Sequence, residues 1–325
     1  MSSVFVPIFA STPGRCFPRT ALHASASPAF TSDEAVVEPL LEAELSKLAC
    51  PVCYHPLVSS IDRHSAPTKS DSTLECSPCK TVYSKKDDYW DLTVSVGSAE
   101  YSESMPAALA TQLFRTRLVS FLYERGWRHN FRWGGFPGLE REFEMARSYL
   151  MPKNGGIIVD ASCGSGLFSR LFLKSELYSL VMALDFSENM LKQCNEFIKK
   201  ENISDERLAL VRADISRLPL LSGSIDAVHA GAAIHCWPSA ACAVAEISRV
   251  LRPGGIFVAT TFISDVLAPA IPVLRFVRPY FGQITGFNIF LSEGELEDLC
   301  TACGLVDFTS VRNGSFIMFS ATKAS

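Results

Sequence analysis

No stretch of the 325 residues approaches the ~18 to 20 uninterrupted apolar residues that a helix needs to cross a bilayer. A helical membrane span is therefore excluded. Positive charge is not in excess either: 30 Lys and Arg stand against 34 Asp and Glu, a formal net charge of −4. A chain with that balance has no global electrostatic drive toward nucleic acid. Acidic residues are missing altogether from positions 1–32, where Arg15 and Arg19 are the fixed charges among many Ser, Thr, Ala and Pro. An acid-free, hydroxyl-rich start reads as an organellar transit peptide, with a plain disordered tail as the alternative. No basic residue precedes the short apolar patch 4–10, and Pro7 interrupts it, so a secretory signal is disfavoured. Sparse arginine with abundant Ser and Ala favours chloroplast over mitochondrion. Residues 1–44 are accordingly expected to be a transit peptide and disordered leader.

What remains is ordinary globular chain, 48% hydrophobic and 20% charged, long enough for one sizeable α/β domain and a small accessory module. The eleven cysteines divide by spacing. Cys50-Pro51-Val52-Cys53 and Cys76-Ser77-Pro78-Cys79 form two C-x2-C knuckles with 22 residues between them. Four thiolates so spaced can converge on a tetrahedral Zn²⁺, and a closed set of four ligands implies a structural ion. Two redox pairs or incidental cysteines are the competing readings. Tyr54, Leu57, Val82, Tyr83 and Trp90 supply little apolar cover, so metal must contribute much of the folding energy of this ribbon-like module, residues 45–95. Cys163, Cys194, Cys236, Cys242, Cys300 and Cys303 are scattered further on and read as packing.

The chemistry is signalled by Ile157-Ile158-Val159-Asp160-Ala161-Ser162-Cys163-Gly164-Ser165-Gly166, with Asp185 closing the next apolar run. An apolar strand runs into an acidic residue, a turn of small residues and a helix over 167–174. That is how an open parallel sheet makes a nucleotide crevice at the carboxyl ends of its strands. Gly164 and Gly166 should let the backbone approach a ligand closely, and the Asp185 carboxylate can accept both hydrogen bonds of a ribose diol. A nicotinamide site would want a third glycine, but Ser169 stands there. Asp160, four positions before Gly164, would repel a pyrophosphate and suit a cationic ligand. S-adenosylmethionine (AdoMet) carries an ammonium, a sulfonium and no phosphate, so electrostatics favour it.

Further strands are predicted over 208–213, ending at Asp214 where a carboxylate can accept from the adenine amino group, over 225–230 and over 256–262. A helix over 238–251 stops at Arg252-Pro253-Gly254-Gly255, and Ser292-Glu293-Gly294-Glu295 is a capping box. Asn313-Gly314 between apolar runs predicts a hairpin that reverses the last strand. The fold expected is α/β, a doubly wound Rossmann-like sheet of seven strands, mostly parallel with an antiparallel last strand, preceded by the small zinc ribbon.

Over roughly 120–325 these residues resemble the class I AdoMet-dependent methyltransferases, particularly the group that includes ubiquinone and menaquinone C-methyltransferases. The marks are the stretch 159–166, Asp185, Ala213-Asp214, Ala233-Ile234-His235-Cys236-Trp237-Pro238 and the run from Glu246 to Gly255. One departure is Ser162, where the family has its first glycine. The resemblance implies a methyltransferase domain over 96–325 and a cofactor set of Asp160, Ser162, Cys163, Gly164, Gly166, Asp185, Phe186, Asp214, Ile215 and Gly231. A zinc ribbon ahead of such a core is similar to the bacterial large-subunit rRNA guanine-N1 methyltransferases. It is more similar, through the stretch 114–128, to plant plastid methyltransferases of uncertain substrate, some associated with plastoglobules. In related folds the segment before the first strand covers the AdoMet pocket, so Tyr123, Arg125 and Trp127 are candidate contacts, or aromatics of a packed linker.

His235 lies just past the fourth strand, where an acceptor should approach, and is the candidate base or orienting group; packing beside Trp237 is the alternative. His229, inside that strand, reads as buried structure. Ala230-Gly231-Ala232-Ala233 replaces the Asn-Pro-Pro-Tyr type of element that exocyclic-amine methyltransferases use, which disfavours adenine or cytosine amino groups. Residues 263–291 are apolar and broken by Pro269, Pro272 and Pro279. Phe276, Tyr280, Phe281, Phe287 and Phe290 there suit a pocket for a hydrophobic substrate, or a peripheral contact with plastid lipid bodies with Arg275 and Arg278 at its boundary; a core-packing loop is the plain reading. Three functions stay open: methylation of a small lipophilic acceptor such as a quinone or pigment precursor, methylation of rRNA with the ribbon reading a stem, and AdoMet binding without turnover.

Overall fold

A computed structural model describes residues 46–59, 73–94, 134–204, 206–263 and 290–325. The leader, the stretch 114–128 with Tyr123, Arg125 and Trp127, and the loop aromatics other than Phe290 lie outside the described residues. The ribbon contributes four short strands, β1 (Val58–Ser59), β2 (Thr73–Glu75), β3 (Val82–Lys86) and β4 (Tyr89–Asp91), each antiparallel to the next. After helix α1 (Leu139–Leu150) come β5 (Ile157–Ala161), α2 (Leu167–Ser175), β6 (Leu180–Asp185), α3 (Glu188–Lys200) and β7 (Leu208–Arg212). The chain continues through β8 (Ile225–Gly231), α4 (Ala240–Val250), β9 (Leu251–Phe262), α5 (Glu293–Ala302), β10 (Leu305–Asn313) and β11 (Phe316–Lys323).

These strands join in the order β1-β2-β3-β4-β7-β6-β5-β8-β9-β11-β10. Pairing is parallel from β4 through β9 and antiparallel where β11 inserts between β9 and β10. The chain leaves β5 toward β6 on one side and later returns to β8 on the other. That reversal opens a crevice at the carboxyl ends of β5 and β8. The strands alternate as their period demands. Ile158, Val181, Ala183 and Val258 bury against α1, α2 and α3, through Phe143, Phe168, Phe172 and Leu191. Val159, Met182, Val211 and Phe257 bury on the opposite face against α4 and α5.

The ribbon shares this second core rather than standing apart from it. Leu48, Leu74, Trp90 and Leu92 are fully or almost fully buried in it. Its last strand extends the main sheet, with Trp90 opposite Val211. The Pro-Gly-Gly stop also works differently from the expectation. The helix ends at Val250 and the strand begins at once, Leu251 pairing with Ile225 and Ile256 with Ala227. Residues 252–255 thus bulge opposite Asp226, which is where a sheet tolerates proline. The other punctuation has its predicted geometry: Ser292 and Glu295 bond reciprocally at the start of α5, and Gly314 turns the last hairpin at φ 59.

Candidate active site and metal cluster

The turn after β5 is stitched to the end of β6. Cys163 N–H donates to the Leu184 carbonyl (3.0 Å), and Gly164 N–H to Asp185 Oδ2 (2.9 Å). Ser187 N–H donates to Asp185 Oδ1 (2.8 Å). The Phe186 amide adds to these two donors, and the carboxylate, with about four acceptor sites, keeps capacity for more. Burial raises the pKa of Asp185, the Asp160 charge adds to the rise, and the Ser187 and Gly164 amides oppose it. A carboxylate so placed gains from any further donor, including paired hydroxyls.

The two glycines of the turn have different work. A Cβ at Gly164 (φ +58) would meet nothing within 4 Å, so this backbone faces open space. A Cβ on Gly166 would lie 2.2 Å from Cys194 Sγ, so that glycine lets α3 pack close. Gly231 is likewise crowded by Phe168 and His229. Cys163 is half-buried beside Cys194, whose thiol, together with burial, pushes the Cys163 pKa well up. Ser162 itself sits at φ 58, which explains the family preference for glycine there. Its hydroxyl is held by the Trp237 indole N–H at 2.9 Å, a link between the turn and the loop after β8.

Asp160 is 2% exposed, and both its oxygens have protein partners: Ser169 Oγ at 2.6 Å and His229 Nδ1 at 3.0 Å. Its charge lies beneath the turn, while its hydrogen bonds point into the interior. His229 is fully buried and stacks on Phe168, ring centroids 4.3 Å apart. Ala213 N–H donates to the Asp185 carbonyl (3.0 Å), which brings Asp214 alongside Asp185. Asp214 Oδ1 accepts Ser216 N–H (2.8 Å), and half-buried Ile215 packs on the core next to it. Phe186 is covered by the Arg212 guanidinium, 5.5 Å from its ring, and accepts Arg212 Nε–H at its carbonyl (3.1 Å).

A short 3-10 turn, Ile234–Cys236, carries the next two groups. Burial pushes the Cys236 thiol up to about 11, and the charge of Asp185 adds to the rise. His235 Nδ1 pairs with Thr261 Oγ1 at 3.0 Å. Burial lowers its pKa from the usual 6.5 to about 4, so the imidazole is neutral at physiological pH. Phe262 and Phe290 flank the ring at 5.3 and 5.8 Å. Beside it opens a cavity of about 210 Å³ lined by Ile234, His235, Trp237, Ala240, Thr261, Leu291 and Leu296. Sequence reasoning missed the pairings Trp237–Ser162 and His235–Thr261. Each spans a separation that no local pattern reports.

In the ribbon, the Sγ atoms of Cys50, Cys53, Cys76 and Cys79 all lie within 4.8 Å of one another. Tetrahedral thiolates at ~2.3 Å from zinc stand ~3.8 Å apart, so the cluster fits such an ion. Backbone geometry repeats in the two knuckles. Tyr54 and Lys80, each four residues after the first cysteine, adopt φ 59 and φ 56 and donate to the carbonyls of Cys50 and Cys76 (2.8 Å each). The His55 amide and the neighbouring thiols draw the Cys53 pKa down, and the same contact with Cys53 drives that of Cys79 up, so the thiols titrate as one set.

Residues 159–259 match the methyltransferase domain family. The chain is 61% identical over 282 residues to a chloroplastic methyltransferase of Arabidopsis thaliana, covering 86% of this chain and 79% of the relative. A second chloroplastic methyltransferase of that plant is 51% identical over 292 residues, covering 88% and 80%. Among solved structures, phosphoethanolamine N-methyltransferase 2 of Haemonchus contortus, in complex with S-adenosyl-L-methionine, shares the fold. Its TM-score is 0.52 at 17% identity, covering 71% of this chain and 61% of that one.

Proposed function

Because the chain belongs to the class I AdoMet-dependent methyltransferases, we propose that it methylates a small lipophilic acceptor, of quinone or pigment-precursor type, in the chloroplast. The observation that carries the acceptor class is the cavity beside His235. Its lining is apolar apart from Thr261 and a histidine that burial keeps neutral. Among the described residues a charged or phosphate-rich acceptor would find no counter-charge in that lining, whereas a flat apolar one would bury its surface. The chloroplast is supported by the two Arabidopsis relatives.

AdoMet supplies a methyl already activated by its sulfonium, so little is asked of the protein beyond alignment and exclusion of water. Asp185, fixed by Gly164 and Ser187, would take the ribose hydroxyls. Asp214 and Ile215 would stand at the adenine edge, and the open backbone at Gly164 would let the ligand lie close. Asp160 would add negative potential from beneath without touching the ligand. Trp237, anchored on Ser162, forms a wall between turn and cavity. Neutral His235 would orient the acceptor or take a proton from its hydroxyl, and a pKa near 4 makes orientation the stronger part of that role. The four cysteines would hold a structural zinc.

The ribbon gives the rRNA reading its support. Against it, the ribbon's inner side is buried in the main core, and two of the lysines on or facing it, Lys86 and Lys199, are paired with Asp91 and Asp88. Incubating the protein with methyl-labelled AdoMet and fractionated plastid extract tests the choice. Label should enter the organic-soluble fraction. Label in rRNA would overturn the acceptor class, and label nowhere would leave a binding protein without turnover.

A further inference from the structure

The metal cluster and the crevice are joined by one short segment, 213–221. Arg217 Nε donates to the Pro51 carbonyl at 2.8 Å and Nη2 to the Val52 carbonyl at 2.9 Å. Those two carbonyls belong to the dipeptide between Cys50 and Cys53, so one guanidinium spans the interior of the first knuckle. The backbone of Arg217 in turn donates to the Asp214 carbonyl (2.9 Å), and Asp214 adjoins Asp185 through Ala213. Arg249 stacks on Tyr54, the residue after Cys53, at 4.1 Å and is itself fixed by Glu246 and by the carbonyls of Leu218 and Leu220. Ala49, immediately before Cys50, donates to the Pro219 carbonyl, and Leu48 bridges Leu220. Arg212 makes a parallel link, from Asp91 of the ribbon (3.1 Å) to the Phe186 carbonyl.

The geometry points to Arg217 as a positioning residue that couples the metal cluster to the nucleoside edge of the AdoMet site. With a metal on Cys50 and Cys53, the carbonyls of Pro51 and Val52 are held at fixed places. Arg217 is then held as well, and with it the Asp214 turn. Without the metal the knuckle is free to open, the two carbonyls leave their places, and the Asp214 turn loses its anchor. Linkage is reciprocal in binding free energy: if metal strengthens AdoMet binding, AdoMet strengthens metal binding by the same factor. The inference rests on the cofactor reading above, and its test separates the two.

Full-length protein carrying its metal is titrated with AdoMet by calorimetry, before and after stripping with a chelator under reducing conditions. Metal affinity is measured by competition with a chromogenic chelator, with and without saturating AdoMet. In the wild type, stripping should weaken AdoMet by about 5- to 50-fold, and AdoMet should tighten metal by a like factor. In Arg217→Ala both ligands should still bind, AdoMet several-fold more weakly, and the mutual effect should fall to less than about two-fold, the range left for indirect coupling. Wild-type protein that binds AdoMet equally with and without metal overturns the inference, as does Arg217→Ala with its coupling intact. Metal-loaded wild type that binds no AdoMet overturns the cofactor reading as well. Should the stripped chain unfold, metal-loaded protein decides. There Arg217→Ala, at one metal per chain, must bind AdoMet several-fold more weakly than wild type, and equal affinity sinks the coupling.

Discussion

In the ribbon, four thiols from two runs of four residues meet within 4.8 Å of one another, and the knuckle backbones repeat each other. At the strand ends, the polar groups of the crevice come from the turns after β5, β6, β7 and β8. Several residues singled out there by sequence pattern face inward instead of outward. Asp160 gives both oxygens to Ser169 and His229, whereas Asp185 is held by backbone amides and remains able to accept more. A metal cage can be written locally, because its ligands need only converge on one another. A cosubstrate crevice is assembled from distant parts, and neighbouring acidic or glycine positions serve opposite ends.

The sharpest way to break the first region is at its ligands. If the cluster holds zinc, Cys76→Ser should abolish it, seen by elemental analysis as a fall from one ion per chain, and should destabilise the chain by on the order of several kcal/mol, the loss of a structural metal. It should also disturb the main core through Leu48, Leu74 and Trp90, which lie in it. Full folding without metal, with Cys50 and Cys53 disulfide-linked, would show that the ribbon is held some other way.

The two carboxylates offer the next contrast. Asp160→Asn should cost about 2 to 4 kcal/mol of stability by denaturant unfolding, since it unbalances a buried set of hydrogen bonds. AdoMet affinity should fall far less. A variant of unchanged stability that loses AdoMet would place Asp160 at the ligand after all.

Much of this arrangement is legible in the chain. The capping box at Ser292 and the hairpin at Asn313-Gly314 follow from cap and turn chemistry. The order of strands and acidic ends marks the crevice. What local pattern cannot show is which side of a turn is filled. Gly164 and Gly166 read alike, and only the position of Cys194 distinguishes them. The extension of the sheet by Trp90, the Arg217 clamp and the Trp237–Ser162 bond all join residues more than seventy positions apart.

A smaller effect should appear at that last bond. Trp237→Phe removes the indole donor and should cost about 1 kcal/mol or more. Adding Ser162→Gly should recover part of the loss, because glycine relieves a left-handed residue by ~1 kcal/mol. Unfolding free energies of the two singles and the double would show this, and strict additivity would mean that the bond contributes nothing. Acid should reveal one further effect. The folded pKa of His235, near 4, lies below its ordinary 6.5, so the unfolded chain binds more protons between those values. Its contribution, at most about 3 kcal/mol, should be present above pH 6.5 and decline toward pH 4. A stability profile of His235→Gln with the same acid slope as wild type would contradict that assignment.

Calorimetric titration with AdoMet, on wild type and on Asp185→Ala, tests the central claim most directly. Wild type should bind with a micromolar Kd, and the variant about ten- to a hundred-fold more weakly, the loss of ~1.5 to 3 kcal/mol expected when a carboxylate holding two hydroxyls is removed. Equal binding by both would contradict the assignment of Asp185, and no binding by wild type would contradict the account of the crevice as an AdoMet site.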